Sequence, residues 1–542
     1  MDTQAPPNTG HPRRWAILAV LVLSLLVVVL DNTVLNVAMR TLASPEPVGI
    51  GATQGQLEWA INSYTLVFAG LLFSFGILGD RWGRKRMLIL GLVLFGLASL
   101  VSAYAQDPGQ LIAARALMGI GGAAIMPVTL SIISNVFDPR ERAKAIGLWT
   151  GAVGLAIAIG PLLGGFLLEH FWWGSVFLIN VPIVLIGLVS VALLVPESRN
   201  PNPGKLDLVG VVLSVIGLTA LVYGIVDGGE HGFDQPEVWA WVLGGAAVIA
   251  AFIRWEMRTD HPSLDVKLFR DARFSASIAG IGLLFFGAMG SFFFTGFYLQ
   301  MVRDFSPIKA GALFVPFALG QMFFAPLSST LVRRYGVKLV STLGMLLATA
   351  TFVVITTWNA ETPVWAIAVN FFFMGVGMAN VMPPATAAIM STLPREKAGV
   401  GSAVSNTVRQ VSAALGVAVL GSIVAGVYRD QVAGATAALP DGVRETASES
   451  IGGAYGVAQG LAAQGQGAVA APLMSAANDA FVQAMHWAAW GSAAITLVGA
   501  FVILKWAPGK LPAAPPAPAT GAPAAPEAGS GAREKAPALA EA

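Results

Sequence analysis

Asp31 and Arg115 are the charges in this chain whose positions demand chemistry. Asp31 lies about 24 Å from Trp15 along the first long apolar run, counted at 1.5 Å per helical residue. An ionised side chain at such depth costs about 2.5–3.5 kcal/mol on insertion scales, so an acid retained there is functional by default. Binding a proton removes the charge, and the position therefore suits reversible protonation. Arg115 enters the fourth apolar run from the other side, roughly 8 Å deep, so the two charges lie at compatible depths. They can form a pair that opens to trade protons, or a permanent bridge between the first and fourth runs. Arg409 is the third embedded charge, roughly 16 Å into the thirteenth run. No acid of the second half reaches its depth, which leaves a partner across the halves, a carbonyl, or an anionic group on a ligand. Asn32 and Asn36 share the first run with Asp31.

The elements that must hold these residues follow from composition. The 542 residues are 55% hydrophobic and 11% charged, with mean hydropathy +0.70, against about 25% charged in soluble domains. Cysteine is absent, which excludes disulfides, thiolate metal sites and cysteine nucleophiles. The five His show no ligand spacing, and no P-loop marks ATP as an energy source. A bilayer core of about 30 Å takes roughly 20 apolar residues per helix. Spans are predicted at 15–39, 57–79, 87–105, 110–133, 144–168, 175–195, 207–226, 237–256, 274–302, 307–331, 339–357, 363–392, 398–427 and 481–505. The first is too long for a signal peptide and has no small-residue cleavage site.

Charge orients these spans. With fourteen crossings and both termini inside, the cytoplasmic segments hold 25 of the 32 Lys and Arg, as the positive-inside bias requires. The chain divides into an inside tail (1–14), a six-helix bundle (15–195), two inserted helices with their loops (196–273) and a second six-helix bundle (274–505). A Pro/Ala-rich tail, expected to be disordered, covers 506–542. Within the second bundle, 428–480 reads as a long external loop with short amphipathic helices.

The two bundles repeat one another. Met118–Pro127 recurs as Met374–Pro383, offset by 256, and Pro139-Arg-Glu-Arg-Ala143 recurs as Pro394-Arg-Glu-Lys-Ala398, offset by 255. The turn Arg81-Trp-Gly-Arg-Lys85 has a worn copy in Arg334-Tyr-Gly-Val-Lys338, offset by 253. That first turn carries Gly76, Gly79, Asp80, Arg81, Gly83, Arg84, Lys85 and Arg86, a charge cluster where an apolar hairpin must reverse. In the fifth span Gly147, Gly151, Gly154, Ala158, Pro161 and Gly165 form one small-residue stripe that admits a close helix neighbour.

Gly76-x-Leu-x-Asp80-Arg-x-Gly-Arg-Lys-x-x-Leu88 resembles the signature loop of the major facilitator superfamily. Gly154, Gly160, Pro161, Gly164 and Gly165 resemble the antiporter motif of its exporting branches. Leu30–Ala38, Leu57–Leu66, Phe177–Pro182 and Asp207–Gly210 resemble stretches of the fourteen-span drug:proton antiporters, although the usual Trp-Arg-Trp reads Trp173-Gly174-Ser175 here. The resemblance covers about residues 15–505. It implies an all-α polytopic membrane protein with the major facilitator fold, two six-helix bundles and two inserted helices. It also implies alternating access, a proton role for Asp31 with Arg115, and a gating role for the basic turn.

The expected function is proton-coupled efflux of lipophilic drug-like or antibiotic compounds across the cytoplasmic membrane. A proton gradient supplies the energy and no cofactor is needed. Met289, Gln321, Met378 and Asn380, with Asn32, Asn36 and Arg409, are candidates for the substrate pathway, soft side chains suiting a loosely specific pocket. The expected partners are a small lipophilic substrate, protons and the bilayer, with no nucleic acid, and the chain is expected to act as a monomer. A proton-coupled nutrient importer on the same fold is the nearest alternative. A membrane sensor is another, but it lacks a signalling domain, and no nucleophile or metal constellation supports an enzyme.

Overall fold

The computed structural model describes residues 11–45, 47–199, 207–260, 262, 266–392 and 398–509. The tail from 510 onward and the repeat copy at 394–397 lie outside the described residues, as do the side chain of Asn36 and the surroundings of Gly147, Gly151, Gly154 and Ala158. Among the described residues all regular structure is helical.

The first half comprises α1 (Arg14–Ala43), α2 (Gln54–Trp82), α3 (Arg84–Ala103), α4 (Pro108–Val136), α5 (Pro139–His170), α6 (Ser175–Leu178) and α7 (Asn180–Leu194). Starts are marked by sequence. The Thr53 hydroxyl accepts from Gln56 N at 3.2 Å while the Gln56 side chain accepts from Thr53 N at 3.0 Å, a reciprocal cap on α2. Asp107 caps α4 ahead of Pro108. We call the side where α1 begins the near face and the side where it ends the far face.

The inserted pair is α8 (Leu208–His231) and α9 (Pro236–Glu256). The second half follows as α10 (Ala272–Phe297), α11 (Pro307–Ala312), α12 (Val315–Tyr335), α13 (Val337–Ile355), α14 (Val364–Ala379), α15 (Met382–Thr392), α16 (Ala398–Thr436), α17 (Asp441–Glu449), α18 (Ile451–Ala463) and α19 (Gly467–Trp506). At the far end of α10 the helix loosens into a π turn over Tyr298–Val302. The repeated Pro127 is accommodated inside α4. Its copy Pro383 is followed by Pro384, and two missing donors in a row divide the twelfth predicted span into α14 and α15.

Twelve helices among the described residues are long and apolar enough to cross a membrane, and the bent α2 makes a thirteenth. With the 32-residue α5, twelve to fourteen crossings fit. The segment read as a loop at 428–480 is instead mostly helical. α16 runs 39 residues and α19 runs 40, about 60 Å each against about 30 Å of hydrocarbon. Both overrun the slab on the far face, and α17 and α18 join their ends. Sequence hid this because the frequent Gly disfavours helix while Ala favours it, and no sustained hydrophobic pattern decides between them.

The halves pack internally through α2 with α4, α3 with α4, and α1 with α5 on one side, and through α10 with α16 and α19 on the other. They meet where α5 touches α11 and α12, where α2 touches α16, and where α1 touches α10. α8 lies against both α2 and α16, so the insert covers one seam between the halves.

Candidate functional site

Asp31 and Arg115 meet. They form an ion pair with both side chains 1% exposed. The Arg115 Nη1 donates to Asp31 Oδ2, and its Nε donates to the Ala60 carbonyl at 3.0 Å. Tyr64 places its ring face 4.5 Å from the guanidinium, a further attraction of about 0.5–2 kcal/mol. The other carboxylate oxygen accepts from Asn180 Nδ2 at 3.1 Å, and the same amide reaches Ser99 Oγ at 3.0 Å. Ser99 in turn donates to the Phe177 carbonyl at 2.8 Å. The pair is therefore held by α1, α2, α3, α4 and α7, all of the first half. A compensated pair of this kind tolerates burial because each charge has a partner and hydrogen bonds.

Glycines at the end of the fifth span connect the helix of Asp31 to the other half. A Cβ at Gly160 would overlap Thr33 Oγ1, and one at Gly164 would come 2.8 Å from Val34. α5 thus rides directly on α1 within one turn of Asp31. On its other side, a Cβ at Gly165 would stand 2.5 Å from Ile308 Cα, and one at Gly311 would overlap the Pro161 carbonyl. Backbone meets backbone between α5 and α11. Only glycine permits that distance.

Further contacts close the same far-face side. Gln300 Nε2, in the π turn, donates to the Val37 carbonyl at 2.9 Å. Arg40 pairs with Asp304 at 3.0 Å, donates to the Gln300 carbonyl, and lies 5.9 Å from the Tyr455 ring centre of α18. Gln54 Nε2 reaches both Glu58 Oε1 and the Gly421 carbonyl at 3.2 Å, stitching α2 to α16. Glu58 is 2% exposed and presses against Gly421. Glu58 belongs to the family-like stretch Leu57–Leu66, but at the start of a span, where acids are ordinary, sequence gives it no role of its own.

At the near face the basic turn forms a closed unit. Gly83 takes φ +118°, a conformation side chains resist, and this reverses the chain from α2 into α3. Asp80 binds Arg84 at 2.8 Å. Glu197, just beyond α7, accepts from Lys85 N at 3.2 Å and lies 3.6 Å from Arg86. Lys85 Nζ donates to the Ala192 carbonyl at 2.7 Å, while Arg81 is exposed. Gly79 packs on Val128 and Gly76 on Pro127 of α4. The turn is thus tied to the end of α7, a contact that spacing in the loop could not reveal.

The pathway candidates divide. Asn32, Met289, Gln321 and Arg409 are half-buried on α1, α10, α12 and α16, helices through which the halves meet. Arg409 stacks on Phe285 with its guanidinium 5.4 Å from the ring centre. Met378 is buried in the core. Asn380 is placed differently from expectation: it sits at the α14–α15 break and packs on Gly344 of α13, inside the second half. Asn180, Ser99 and Tyr64 are the partners that sequence reasoning missed as a set, although Asn180 lies in a quoted family stretch.

Known proteins agree with this architecture. Residues 21–417 match the family model of the Major Facilitator Superfamily. The multidrug efflux pump LfrA of Mycolicibacterium smegmatis is 37% identical over 92% of this chain and 97% of its own. The methyl viologen resistance protein SmvA of Salmonella typhimurium is 34% identical over 91% and 97%. The tetracenomycin C resistance and export protein of Streptomyces glaucescens is 30% identical over 92% and 93%. A solved bacterial homolog of the human lysosomal transporter Spinster shares the fold with TM-score 0.62 at 15% identity, covering 91% of this chain and 97% of that one. The chain belongs to the Major Facilitator Superfamily, as a multi-pass secondary transporter and not an enzyme.

Proposed function

We propose that this transporter exports lipophilic drug-like compounds, neutral or singly charged, in exchange for inward-moving protons. The export relatives support the direction, and the enclosed Asp31–Arg115 pair is the observation that carries the coupling. Thr33 and Val34 of α1 rest on Gly160 and Gly164, and the adjoining Pro161 and Gly165 rest on α11. Parting the halves at the far face frees α5 from α11, lets α1 shift against α5, and loosens Asp31 from Arg115. The carboxylate then meets external protons and binds one. Closing the seam returns the protonated acid toward the near side, where the proton leaves as cargo loads. Each proton moved gains about 2.3 kcal/mol per 100 mV of membrane potential.

In this reading the near face is cytoplasmic, both termini lie inside the cytoplasmic membrane, and α2 and α5 complete fourteen spans. Residues 15–195 and 274–505 are the two rocking bodies, 196–273 the insert, and the protein works as a monomer. Asn32, Met289, Gln321 and Arg409 line the cargo route between them. The turn at Asp80–Arg86 latches the near face.

The deciding experiment uses proteoliposomes with an internal pH dye and a lipophilic monovalent cationic dye as cargo. Wild-type protein is expected to release protons when cargo is added, and Asp31→Asn is expected to abolish that release. Undiminished proton release by the folded variant would remove Asp31 from the mechanism. Cargo movement indifferent to the pH gradient in wild type would remove the antiport itself.

A further inference from the structure

The worn copy of the basic turn has lost its acids. At the offset of 253, Arg333 stands where the first half has Asp80, Arg334 where it has Arg81, and Lys338 where it has Lys85. Gly336 repeats the positive φ of Gly83, at +87°. In the first turn Asp80, and Glu197 from the segment after α7, offset Arg84 and Arg86, two of its four basic charges. Within the described residues, the matching segment after α19 contributes the Pro508 carbonyl, which accepts from Lys338 N at 3.2 Å. Lys505 stands in the last turn of α19, three residues before Pro508. Among the described residues no carboxylate pairs with Arg333, Arg334, Lys338 or Lys505.

Beside this uncompensated charge the outer surface of the second half is grooved. The groove has a volume of about 310 Å³ and runs from Leu331 and Tyr335 past Leu339, Leu343 and Leu347 to Asn380. Leu339, Leu343 and Leu347 recur every four residues, one apolar stripe on α13 about 12 Å long. Tyr335, Leu339 and Leu343 are 46–57% exposed on a helix pair that spans the membrane. Arg334 lies over the Tyr335 ring at 5.3 Å, at the groove's near-face mouth. Positive charge at the surface level and an apolar trough beneath it match an amphiphile with an anionic head.

We propose that this corner is a binding site for one anionic phospholipid of the near-face leaflet. Its phosphate sits among Arg334, Lys338 and Arg333, taking the place of the carboxylates found in the first half. One acyl chain follows Leu339 and Leu343 and stops short of Asn380. Three basic residues at one headgroup favour an anionic lipid over a zwitterionic one by about tenfold or more. The proposal is independent of antiport and of the cargo.

Native mass spectrometry of the purified full chain, exchanged into mixed phosphatidylglycerol and phosphatidylcholine, tests it. Wild type is expected to retain phosphatidylglycerol with a preference of at least about tenfold, and R333Q/R334Q/K338Q to fall below about twofold. The charge-preserving R333K/R334K/K338R should keep the preference, which separates lost charge from lost fold. Leu343→Trp, filling the trough, should reduce retention of the lipid without changing the turn. R254Q/R258Q/R270Q removes equal charge elsewhere on the near face and should leave the preference intact. An equal loss in that control, or full retention by the neutralised turn, overturns the site in favour of a general basic field. Displacement by glycerol phosphate, with Leu343→Trp having no effect, overturns the lipid in favour of a free phosphate.

Discussion

Asp31 is more deeply enclosed than its position in the first span requires. Its carboxylate is matched by Arg115, Asn180 and, through the guanidinium, Tyr64. Removing one member of such a pair strands a buried charge and costs about 3–5 kcal/mol, whereas removing both is far milder. Arg115→Gln alone should therefore lower the melting temperature in detergent more than Asp31→Asn/Arg115→Gln together. The double variant should still fail to couple protons to cargo. If it transports cargo against a pH gradient, the pair is a strut and not a carrier. Asp31 and Arg115 were legible because charge inside an apolar run is conspicuous. Asn180 and Ser99 were not, since uncharged polar residues are unremarkable in a span until the fold brings them to a carboxylate.

At the scale of elements the contact between α5 and α11 is the point where half meets half. Gly311 packs against the Pro161 carbonyl so closely that a methyl group cannot fit, and backbone does not yield as a side-chain tip does. Gly311→Ala should hold the far face ajar. The chain has no cysteine, so Ile308→Cys can be read alone with a membrane-impermeant maleimide. Labelling in intact cells should rise severalfold when Gly311→Ala is added. An unchanged rate would show that the seam opens without separating these backbones. The near-face turn offers a second test. Glu197 serves both Lys85 N and Arg86, and Glu197→Gln should slow cargo turnover while leaving cargo KM within about twofold, since no cargo touches it. A rise in KM with normal turnover would place Glu197 on the binding route instead.

For the whole molecule, direction follows from orientation. Arg81 lies exposed on the near face, and Asp441 projects from the far-face helices with its side chain 92% exposed. Single cysteines at these positions should label oppositely in whole cells: Asp441→Cys before permeabilisation and Arg81→Cys only after. The reverse pattern would invert the transporter and turn export into import. The overrun of α16 and α19 gives the far face a helical crown. Through Tyr455, whose hydroxyl donates to the Met301 carbonyl, and Gly452, which packs on Ala43, that crown rests on both halves. In the insert, α8 lies along the α2–α16 seam and α9 packs on α8.

Sequence alone determined the membrane class, the doubled architecture and the embedded charges. These properties are set by local quantities: the length of an apolar run, a charge inside it, the recurrence of a motif at a fixed offset. Tertiary structure decided who partners whom. Asp31 accepts from α4 and α7, which α2 and α3 hold in turn; the α5 glycines serve α1 on one side and α11 on the other, and Asn380 faces α13 instead of the seam. It also showed that, among the described residues, the second basic turn lacks acids like those that offset part of the first. Neighbours of this kind lie tens to hundreds of residues apart, and only the packing of helices against one another brings them within bonding distance.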